Sequence, residues 1–458
     1  MNRIASRTRF VLAFIAILLG GLLFFLVEYA TQAEQWVVTP GSPHLYAGGH
    51  LNSGSVRDRE GNLLLDLSHG RTYSDNVTTR KSTLHWVGDR AGYIPDPLVE
   101  KYSAAMSGFD LVNGLYGAAD QPGTMTLTLS ARVQNKALSA LGGRKGTVGV
   151  YNYKTGEILC AVTSPNFDPE NVPKISEDEK GTYEGVYLNR FTQSSYPPGS
   201  IFKVVTTAAA LDTVPDILDK TFTCTGKYEY GIDRVTCEGV HGQVDLKSAL
   251  ARSCNCAFAQ IAELVGRDTM EKYVKKFGLL EPVTFDGITT ARGHYDISDA
   301  ADVEFAWSCI GQYTDLVNPA RYMTFMGAIA GGGVGAEPHI VASVGSEKKT
   351  VYEASTTRGS RIMSQELAAT MQEYMHNNVQ KVYGTWNFPG FETVCGKSGT
   401  SQLGGGQMSN AMFAGFIMDE NYPLAFMAVV ENAGYGSANC VPILSKVLAE
   451  CKNVMDSQ

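Results

Sequence analysis

The longest run of apolar positions in the chain lies close to its N-terminus. Residues Phe10 to Val27 are all apolar or Gly, and a run of this length can cross a bilayer as a helix. Because basic residues precede it (Arg3, Arg7, Arg9), we expect a cytoplasmic N-terminus and an outward location for everything after about residue 28. A cleaved signal peptide is the alternative, but the run exceeds a usual signal-peptide core, which favours a retained anchor.

Shorter apolar runs predict a sheet that is assembled from distant segments. Four of them are predicted to be strands, paired through tight turns: 147–153 with 157–163, and 411–418 with 423–431. Between the two pairs, Ser200 to Leu211 is apolar nearly all round, which is typical of a buried helix. Further helices are expected at about 246–265, 316–330, 364–380 and 441–453. The expected fold class is α/β (α+β), with a central antiparallel sheet flanked by helices.

Changes in residue pattern divide the chain into five predicted parts. Pro and Gly are frequent from residue 40 to residue 49, as in an irregular spacer, and the chain length calls for more than one folded part. We predict a cytoplasmic tail (1–9), a transmembrane anchor (10–29), a linker (30–50), a small N-terminal pedestal that is similar to a dimerisation domain (51–140) and a large C-terminal domain (141–458).

Composition narrows the class of function. Of the 458 residues, 18% are charged and 44% are apolar, which fits a globular protein and excludes a disordered one. The formal net charge is −8 and no basic patch is present. Since nucleic-acid binding requires basic surfaces, we expect no nucleic-acid partner.

The cysteines permit one specific pairing. Nine cysteines in a chain expected to be exported allow disulfides, and the odd count leaves at least one thiol free. Cys224 and Cys237 flank residues 228–234, which predict a hairpin that brings the two sulfurs together, so we expect a disulfide there. Four other cysteines are expected to be small buried residues (Cys160, Cys309, Cys395, Cys451). No Cys or His spacing suggests a metal site, so we predict no metal and no cofactor.

The start of the predicted helix at Ser200 carries candidate chemistry for acyl transfer. Such an enzyme needs a serine, a base that takes its proton, and donors for the developing oxyanion. Lys203 follows Ser200 by three residues and shares its helix face, and the preceding Pro-Pro-Gly places Ser200 at the helix N-terminus. Burial and neighbouring cations would lower the pKa of Lys203 and let it act as a base.

A single Ser-x-x-Lys motif is weak, because a second copy runs from Ser346 to Lys349 in a charged stretch. The ordered set is more specific: Ser-x-x-Lys, then Ser-x-Asn at Ser253 to Asn255, then Lys-Ser-Gly at Lys397 to Gly399. Two other matches, Ser74-Asp-Asn76 and Lys154-Thr-Gly156, come before Ser200 and are interpreted as parts of the pedestal and a hairpin turn.

With these motifs in order, the chain resembles the class B penicillin-binding proteins, which are monofunctional D,D-transpeptidases. Segments outside the motifs also resemble the family: 58–64 in the pedestal, 154–169 in the first hairpin, His241-Gly before Ser253, and Gly311-Gln312. One departure is that Ser53 stands before Gly54 where the family usually has arginine, so we expect the pedestal to lack the anchoring contact of that arginine. The third motif has Ser398 where threonine is commoner.

The resemblance implies a role for each motif residue. Ser200 would attack the D-alanyl-D-alanine bond of a stem peptide, with Lys203 as base and Ser253 as the relay to the leaving amine. Asn255 would hold the peptide or steady Lys203, and Lys397 would keep the field positive. Substrate binding is completed by Ser398, Gly399 and Thr400, and backbone N–H groups of Ser200 and Thr400 would bind the oxyanion. β-Lactams, shaped like the donor, would acylate Ser200.

Other functions stay open at this point. A D,D-carboxypeptidase or a serine β-lactamase uses the same constellation with water as the acceptor, and a β-lactam sensor or an inactive scaffold belongs to a different class. The pedestal and the anchor favour transpeptidation. Residues 30–140 are too few for a glycosyltransferase domain, so the resemblance implies a separate glycan polymerase of the SEDS family as partner. Roles in cell elongation, division or sporulation are not distinguished.

Overall fold

The computed structural model describes residues 2–37, 46–47, 50–51, 53–68, 70–107, 109, 111, 123–346, 349–402 and 406–457. Within these ranges the helices are α1 (Asn2–Val37), α2 (Val77–Val87), α3 (Leu98–Lys101), α4 (Ser103–Met106), α5 (Ala131–Leu141), α6 (Arg190–Gln193), α7 (Lys203–Thr213), α8 (Leu246–Ala251), α9 (Asn255–Val265), α10 (Arg267–Lys276), α11 (Asp302–Ser308), α12 (Pro319–Ala330), α13 (Gln365–Asn378) and α14 (Gly436–Met455).

The strands in the same ranges are β1 (Tyr46–Ala47), β2 (His50–Leu51), β3 (Ser55–Arg57), β4 (Leu63–Asp66), β5 (Thr72–Tyr73), β6 (Thr124–Leu127), β7 (Gly146–Asn152), β8 (Ile158–Ser164), β9 (Phe222–Cys224), β10 (Lys227–Tyr230), β11 (Asp233–Thr236), β12 (Gly242–Val244), β13 (Thr284–Phe285), β14 (Ile288–Thr289), β15 (Val341–Ser346), β16 (Lys349–Glu353), β17 (Val394–Ser401), β18 (Asn410–Ile417) and β19 (Leu424–Val430).

Helix α1 contains the apolar run found in the sequence. Its stretch Arg7–Ala33 has a mean hydropathy of 3.0, and in the described part of the chain it is the helix that is long and apolar enough to cross a membrane. Its apolar side chains are exposed, as in Phe10 and Leu23. A surface helix of a globular protein would bury one face, so this pattern fits a helix whose surroundings are lipid.

The centre of the large domain is an antiparallel sheet of order β17-β18-β19-β7-β8. Every residue of β7, β8, β18 and β19 is buried, because helices cover both faces of the sheet. Along β18, Ala411 and Phe413 pack with α5 and α14, while Met412 and Ala414 join the larger core with α7 and α12. This alternation follows from the period of two in a strand, and it explains why the sequence shows continuous apolar runs.

A second sheet crosses the predicted division between pedestal and large domain. Its order is β16-β15-β6-β3-β4-β5, so strands from 341–353 complete a sheet whose other strands come from 55–127. Helix α5, which the division assigns mainly to the pedestal, packs against α14 and β8 of the large domain. The division at residue 140 therefore stays a prediction, and two segments lie across it in space.

Most predicted elements are confirmed, and two helices differ from the prediction. The four central strands, α12, α13 and α14 lie where the sequence predicts them, and the fold class is confirmed. The helix predicted at 246–265 is two helices, since Arg252–Cys254 interrupts it and Ser253 has φ of +56°. The helix predicted from Ser200 begins as a 3₁₀ turn, Gly199–Phe202, before α7 starts at Lys203.

Candidate active site

Ser200 lies on a tight turn that packs closely against β17, and glycines make this close approach possible. Gly199 has φ of +55°, and a Cβ at this position would lie 2.6 Å from the carbonyl oxygen of Thr400. A Cβ on Gly399 would lie 2.7 Å from the carbonyl oxygen of Pro198. Since no side chain fits at either distance, these two glycines allow the turn that carries Ser200 to approach the edge strand that carries the third motif.

Lys203 connects the first two motifs. Its Nζ lies 3.0 Å from Ser200 Oγ, 3.0 Å from Ser253 Oγ, 2.8 Å from the carbonyl oxygen of Ser253 and 2.6 Å from Asn255 Oδ1. The side chain is fully buried, because α7 and α9 pack together around it. The structure therefore brings Ser200, Lys203, Ser253 and Asn255 within direct contact of one amine.

The surroundings of Lys203 favour its neutral form. Burial, followed by the positive charge of Lys397, lowers the pKa of Lys203 well below its ordinary value. A neutral amine has a lone pair and accepts a proton, which a charged ammonium cannot do. Its contact with Ser200 Oγ places that lone pair beside the hydroxyl proton, which is the arrangement of a general base and its nucleophile.

Ser253 and Asn255 are placed by the break between α8 and α9. Ser253 adopts a left-handed φ of +56°, a conformation that costs a non-glycine residue free energy and is typical of functional sites. Asn255 donates from Nδ2 to the carbonyl oxygen of Thr236 at 2.8 Å, so its Oδ1 is directed at Lys203. The break that the helix prediction missed is thus what directs both side chains into the site.

Lys397 projects from β17 and reaches the same serine. Its Nζ lies 3.1 Å from Ser253 Oγ and 2.9 Å from the carbonyl oxygen of Ser398. Burial lowers the pKa of Lys397 to about 7. Lys397 therefore changes between its charged and neutral forms near neutral pH. In the charged form it provides a positive potential for an anionic ligand while Lys203 stays neutral.

Tyr383 belongs to the site and was missed in the sequence. Its hydroxyl accepts from the N–H of Ser398 at 3.0 Å and lies 3.0 Å from Ser398 Oγ and 3.4 Å from Lys397 Nζ. It ends a π-helical turn, Val379–Tyr383, and such turns are frequent at functional sites. No motif surrounds it, so only the tertiary structure identifies it.

The segment Gly311-Gln312 also lies beside the site. Gly311 accepts from the N–H of Gly199 at 2.8 Å, and Gln312 Nε2 donates to the carbonyl oxygen of Thr400 at 3.1 Å. The segment thus connects the turn of Ser200 with the strand of Thr400.

An open cavity of about 450 Å³ gives access to these groups. It is lined by Ser200, Ser253, Asn255, Ser398 and Thr400 together with Gln312, Trp307, Tyr383, Tyr435 and Glu238. Lys203, Lys397 and Gly399 are buried behind this lining. A substrate in the cavity therefore meets hydroxyl and amide groups first, and the two amines lie just beneath them.

The other motif matches have structural roles. Asn76 of Ser74-Asp-Asn76 caps α2 by accepting from two backbone N–H groups, and Lys154-Thr-Gly156 lies in the turn between β7 and β8. Ser346 and Lys349 face each other across β15 and β16, while residues 347 and 348 lie outside the described residues. The described residues of these three matches do not line the cavity around Ser200.

The expected disulfide between Cys224 and Cys237 is absent, and this prediction is corrected. Both residues are free thiols, as are the other seven cysteines, all in described segments. The predicted hairpin is present as β10 and β11 and does bring the two sulfurs close. They meet His241 and Cys254 as well, and the four ligating atoms lie within 4.8 Å of one another. The cluster has no compact spacing in the sequence, because its members spread over 31 positions, from 224 to 254.

Comparisons with known proteins agree with this geometry. The family model described as the penicillin binding protein transpeptidase domain matches residues 146–449. The peptidoglycan D,D-transpeptidase PbpA of Mycolicibacterium smegmatis is 26% identical over 379 residues, which are 75% of this chain and 76% of that protein. The PbpA of Mycobacterium tuberculosis (strain CDC 1551 / Oshkosh) is 28% identical over 335 residues, covering 68% of this chain and 67% of its own length.

A solved structure shares the fold. Penicillin-binding protein A from M. tuberculosis, in its ceftriaxone acyl-enzyme complex, superposes with a TM-score of 0.75 at 23% identity, covering 87% of this chain and 98% of that one. The family match spans the central sheet and all three motifs. The chain therefore belongs to the penicillin-binding protein transpeptidases, as a class B member.

Proposed function

We propose that this protein is a peptidoglycan D,D-transpeptidase that cross-links stem peptides through an acyl intermediate on Ser200. One observation carries the proposal: the buried amine of Lys203 contacts the hydroxyls of Ser200 and Ser253 and the amide of Asn255 at 2.6–3.0 Å. The relatives named peptidoglycan D,D-transpeptidase support the same reaction.

In acylation, Ser200 Oγ attacks the carbonyl carbon of the penultimate D-alanine of the donor. Its proton passes to the neutral amine of Lys203, and backbone N–H groups of Ser200 and Thr400 bind the oxyanion that forms. When the tetrahedral intermediate collapses, the peptide C–N bond breaks. D-Alanine leaves with a proton that Lys203 returns through the hydroxyl of Ser253, which lies between the two amines.

In deacylation, an amine of a neighbouring stem peptide attacks the ester of Ser200. The new amide C–N bond forms as the ester C–O bond breaks. Lys203 takes the amine's proton through the same relay and returns it to Ser200 Oγ. The terminal carboxylate of the donor binds beside Ser398 and Thr400, where the charged form of Lys397 makes the field positive. β-Lactams present a carboxylate and a strained amide in similar positions, so they acylate Ser200, and the resulting ester hydrolyses slowly.

The location of the enzyme follows from α1. We propose that α1 is retained as a single anchor, with the arginines before it in the cytoplasm and the catalytic domain on the outer side. We propose that a multispanning SEDS-family polymerase is the enzyme's partner and supplies the glycan. Purification from membranes under mild detergent should recover such a polymerase, and its repeated absence counts against the partnership.

Labelling with a fluorescent penicillin tests the central proposal. The full chain in detergent should give a stable covalent label, and Ser200→Ala should lose it completely. Ser346→Ala is the matched control, because Ser346 begins the other Ser-x-x-Lys sequence and should label like the unchanged chain. Label on Ser200→Ala would overturn the assignment of the nucleophile, and rapid turnover of the label would indicate a β-lactamase.

A further inference from the structure

Four side chains with strong affinity for transition metals converge beside the second motif. They are Cys224, Cys237, His241 and Cys254, and their ligating atoms all lie within 4.8 Å of one another. Cys224 and Cys254 are buried, while the other two are partly buried. Three sulfurs and one imidazole nitrogen are a ligand set that occurs in structural zinc sites.

The spacing of these atoms fits a shared metal ion. His241 Nδ1 lies 3.5 Å from Cys224 Sγ and 3.4 Å from Cys237 Sγ. In a tetrahedral zinc site, sulfur at ~2.3 Å and nitrogen at ~2.05 Å from the metal are about 3.6 Å apart. Thus the two separations given for His241 match the edges of such a tetrahedron.

Regular backbone holds the four groups in place. Cys224 ends β9, Cys237 follows β11, and His241 precedes β12, which pairs with β9 so that Gly242 faces Cys224. Cys254 is the N-cap of α9. The ligands therefore come from two strand pairs and one helix terminus, which together leave them little freedom to separate.

A backbone N–H group donates to one of the four ligand atoms. Cys254 Sγ accepts from the N–H of Ala257 at 3.4 Å. Such hydrogen bonds support the charge that thiolate ligands bring to a metal.

We propose that Cys224, Cys237, His241 and Cys254 bind one zinc ion in a closed tetrahedral site. The site has a positioning role, because Cys254 stands between Ser253 and Asn255. Fixing Cys254 holds the left-handed turn of Ser253 in place. The zinc ion also fixes Cys237, which is adjacent to Thr236, and the carbonyl oxygen of Thr236 accepts a hydrogen bond from Asn255. The metal itself takes no part in acyl transfer.

Metal analysis of the full chain, purified in detergent without added metal or chelator, tests the site. We expect about one zinc per chain, and loss of it in Cys237→Ser and in His241→Ala. Cys256→Ser is the matched control, since Cys256 is the adjacent buried thiol outside the four-ligand set and should keep its zinc. Absence of zinc from the unchanged chain after incubation with zinc, or full retention in both ligand variants, overturns the proposal.

Cobalt substitution and thiol counting identify the ligands independently of activity. The cobalt form should show thiolate-to-metal charge transfer and the intense visible bands of tetrahedral Co²⁺, and Cys237→Ser should weaken the charge-transfer band. Alkylation of the native, metal-free chain should modify Cys224 and Cys237. If instead both resist alkylation until reduction, a disulfide occupies the position and the metal proposal fails.

The positioning role rests on the proposed function and has its own readout. Removing zinc by a chelator should lower the penicillin acylation rate roughly ten- to hundred-fold, because small displacements of catalytic groups are costly, and added zinc should restore it. Ser200→Ala should bind zinc normally although it cannot be acylated. If the chain binds zinc but acylation is unchanged when zinc is removed, the positioning role is wrong and the zinc site stands. If the unchanged chain holds zinc but is not labelled by penicillin, the proposed function is wrong instead.

Discussion

The two walls of the catalytic cavity are built in different ways. On one side, the turn of Ser200 lies against β17 and Gly311 through close backbone approaches that only glycine permits. On the other side, the turn of Ser253 is held by polar side chains, including those of Lys203 and Lys397, and by the thiols around Cys254. The first wall is fixed by sterics and therefore insensitive to pH, whereas the second depends on groups whose protonation and ligands can change.

Lys203 bridges the two walls, so replacing it should have the largest effect. In Lys203→Met a side chain of similar length fills the buried site next to Phe258 but cannot accept a proton. We expect acylation by penicillin to fall by about 10²- to 10⁴-fold, which is the usual contribution of a general base. Stopped-flow or gel-based kinetics with the full chain measure the second-order acylation rate constant.

Lys349→Met is the control for this substitution. Lys349 completes the other Ser-x-x-Lys sequence on an exposed strand, and its replacement should leave the acylation rate unchanged. A Lys203→Met variant that acylates within a factor of a few of the unchanged chain would assign the base to another group, with Lys397 the next nearest amine to Ser253.

The sequence predicts the first wall better than the second. Ser200, Lys203 and the glycine before them lie in one short segment, where helix periodicity sets their relation. The central strands are predicted for a similar reason, since continuous apolar runs of strand length have few other interpretations. These features are local, and local features can be derived from the order of residues.

The second wall depends on contacts between distant segments. Helices α8 and α9 separate around the left-handed Ser253. The residues there are weak helix formers (Ser253, Cys254, Asn255), but the helical pattern on both sides hides the break in the sequence. Tyr383 and Lys397 are 14 residues apart and meet through a π-helical turn. The thiol cluster comes from four segments. The hairpin pattern predicts that Cys224 and Cys237 are neighbours, but the disulfide expected between them is absent from the structure.

Adding one methyl group to the first wall should be costly. In Gly311→Ala the new Cβ would lie 2.2 Å from the carbonyl oxygen of Gly199, and φ is +84°. We expect the free energy of unfolding to fall by roughly 2–4 kcal/mol, from the left-handed conformation and the overlap together. Acylation should fall as well, because the displaced backbone carries Ser200. Chemical denaturation in detergent and labelling kinetics measure the two effects.

Gly61→Ala separates the two contributions. Gly61 has a nearly identical φ of +82° with nothing within 4 Å of its Cβ position, so only the conformational cost of roughly 1–2 kcal/mol should remain. Equal destabilisation in both variants would show that the close approach to Gly199 does not hold the wall.

The second wall should respond to pH through Lys397. Burial lowers its pKa to about 7 in the folded chain, below the value of about 10.4 for an unfolded lysine. Between these values the unfolded chain binds one more proton, so stability should rise with pH, by at most about 1.4 kcal/mol per pH unit from this group. Denaturation at pH 7 and pH 9 should show a smaller rise in Lys397→Met than in the unchanged chain.

Part of the rise in stability with pH should remain in Lys397→Met, because the pKa of Lys203 is also lowered in the folded chain. The same variant should move the acidic limb of the acylation rate to higher pH, since below about pH 7 the charge of Lys397 helps to lower the pKa of Lys203. An acidic limb that stays in place would mean that burial alone sets the pKa of Lys203.

The smallest effect is expected where Tyr383 contacts the third motif. Tyr383→Phe removes the hydroxyl that accepts from the N–H of Ser398 and lies near Lys397. A hydrogen bond of this kind contributes about 0.5–1.5 kcal/mol, so the acylation rate should fall roughly two- to ten-fold with the pH limbs unchanged. Tyr153→Phe, which loses a buried hydrogen bond to Ile417 far from the cavity, should alter stability and leave acylation intact. If both variants acylate alike, the Tyr383 hydroxyl supports the fold of β17 and has no part in positioning Ser398.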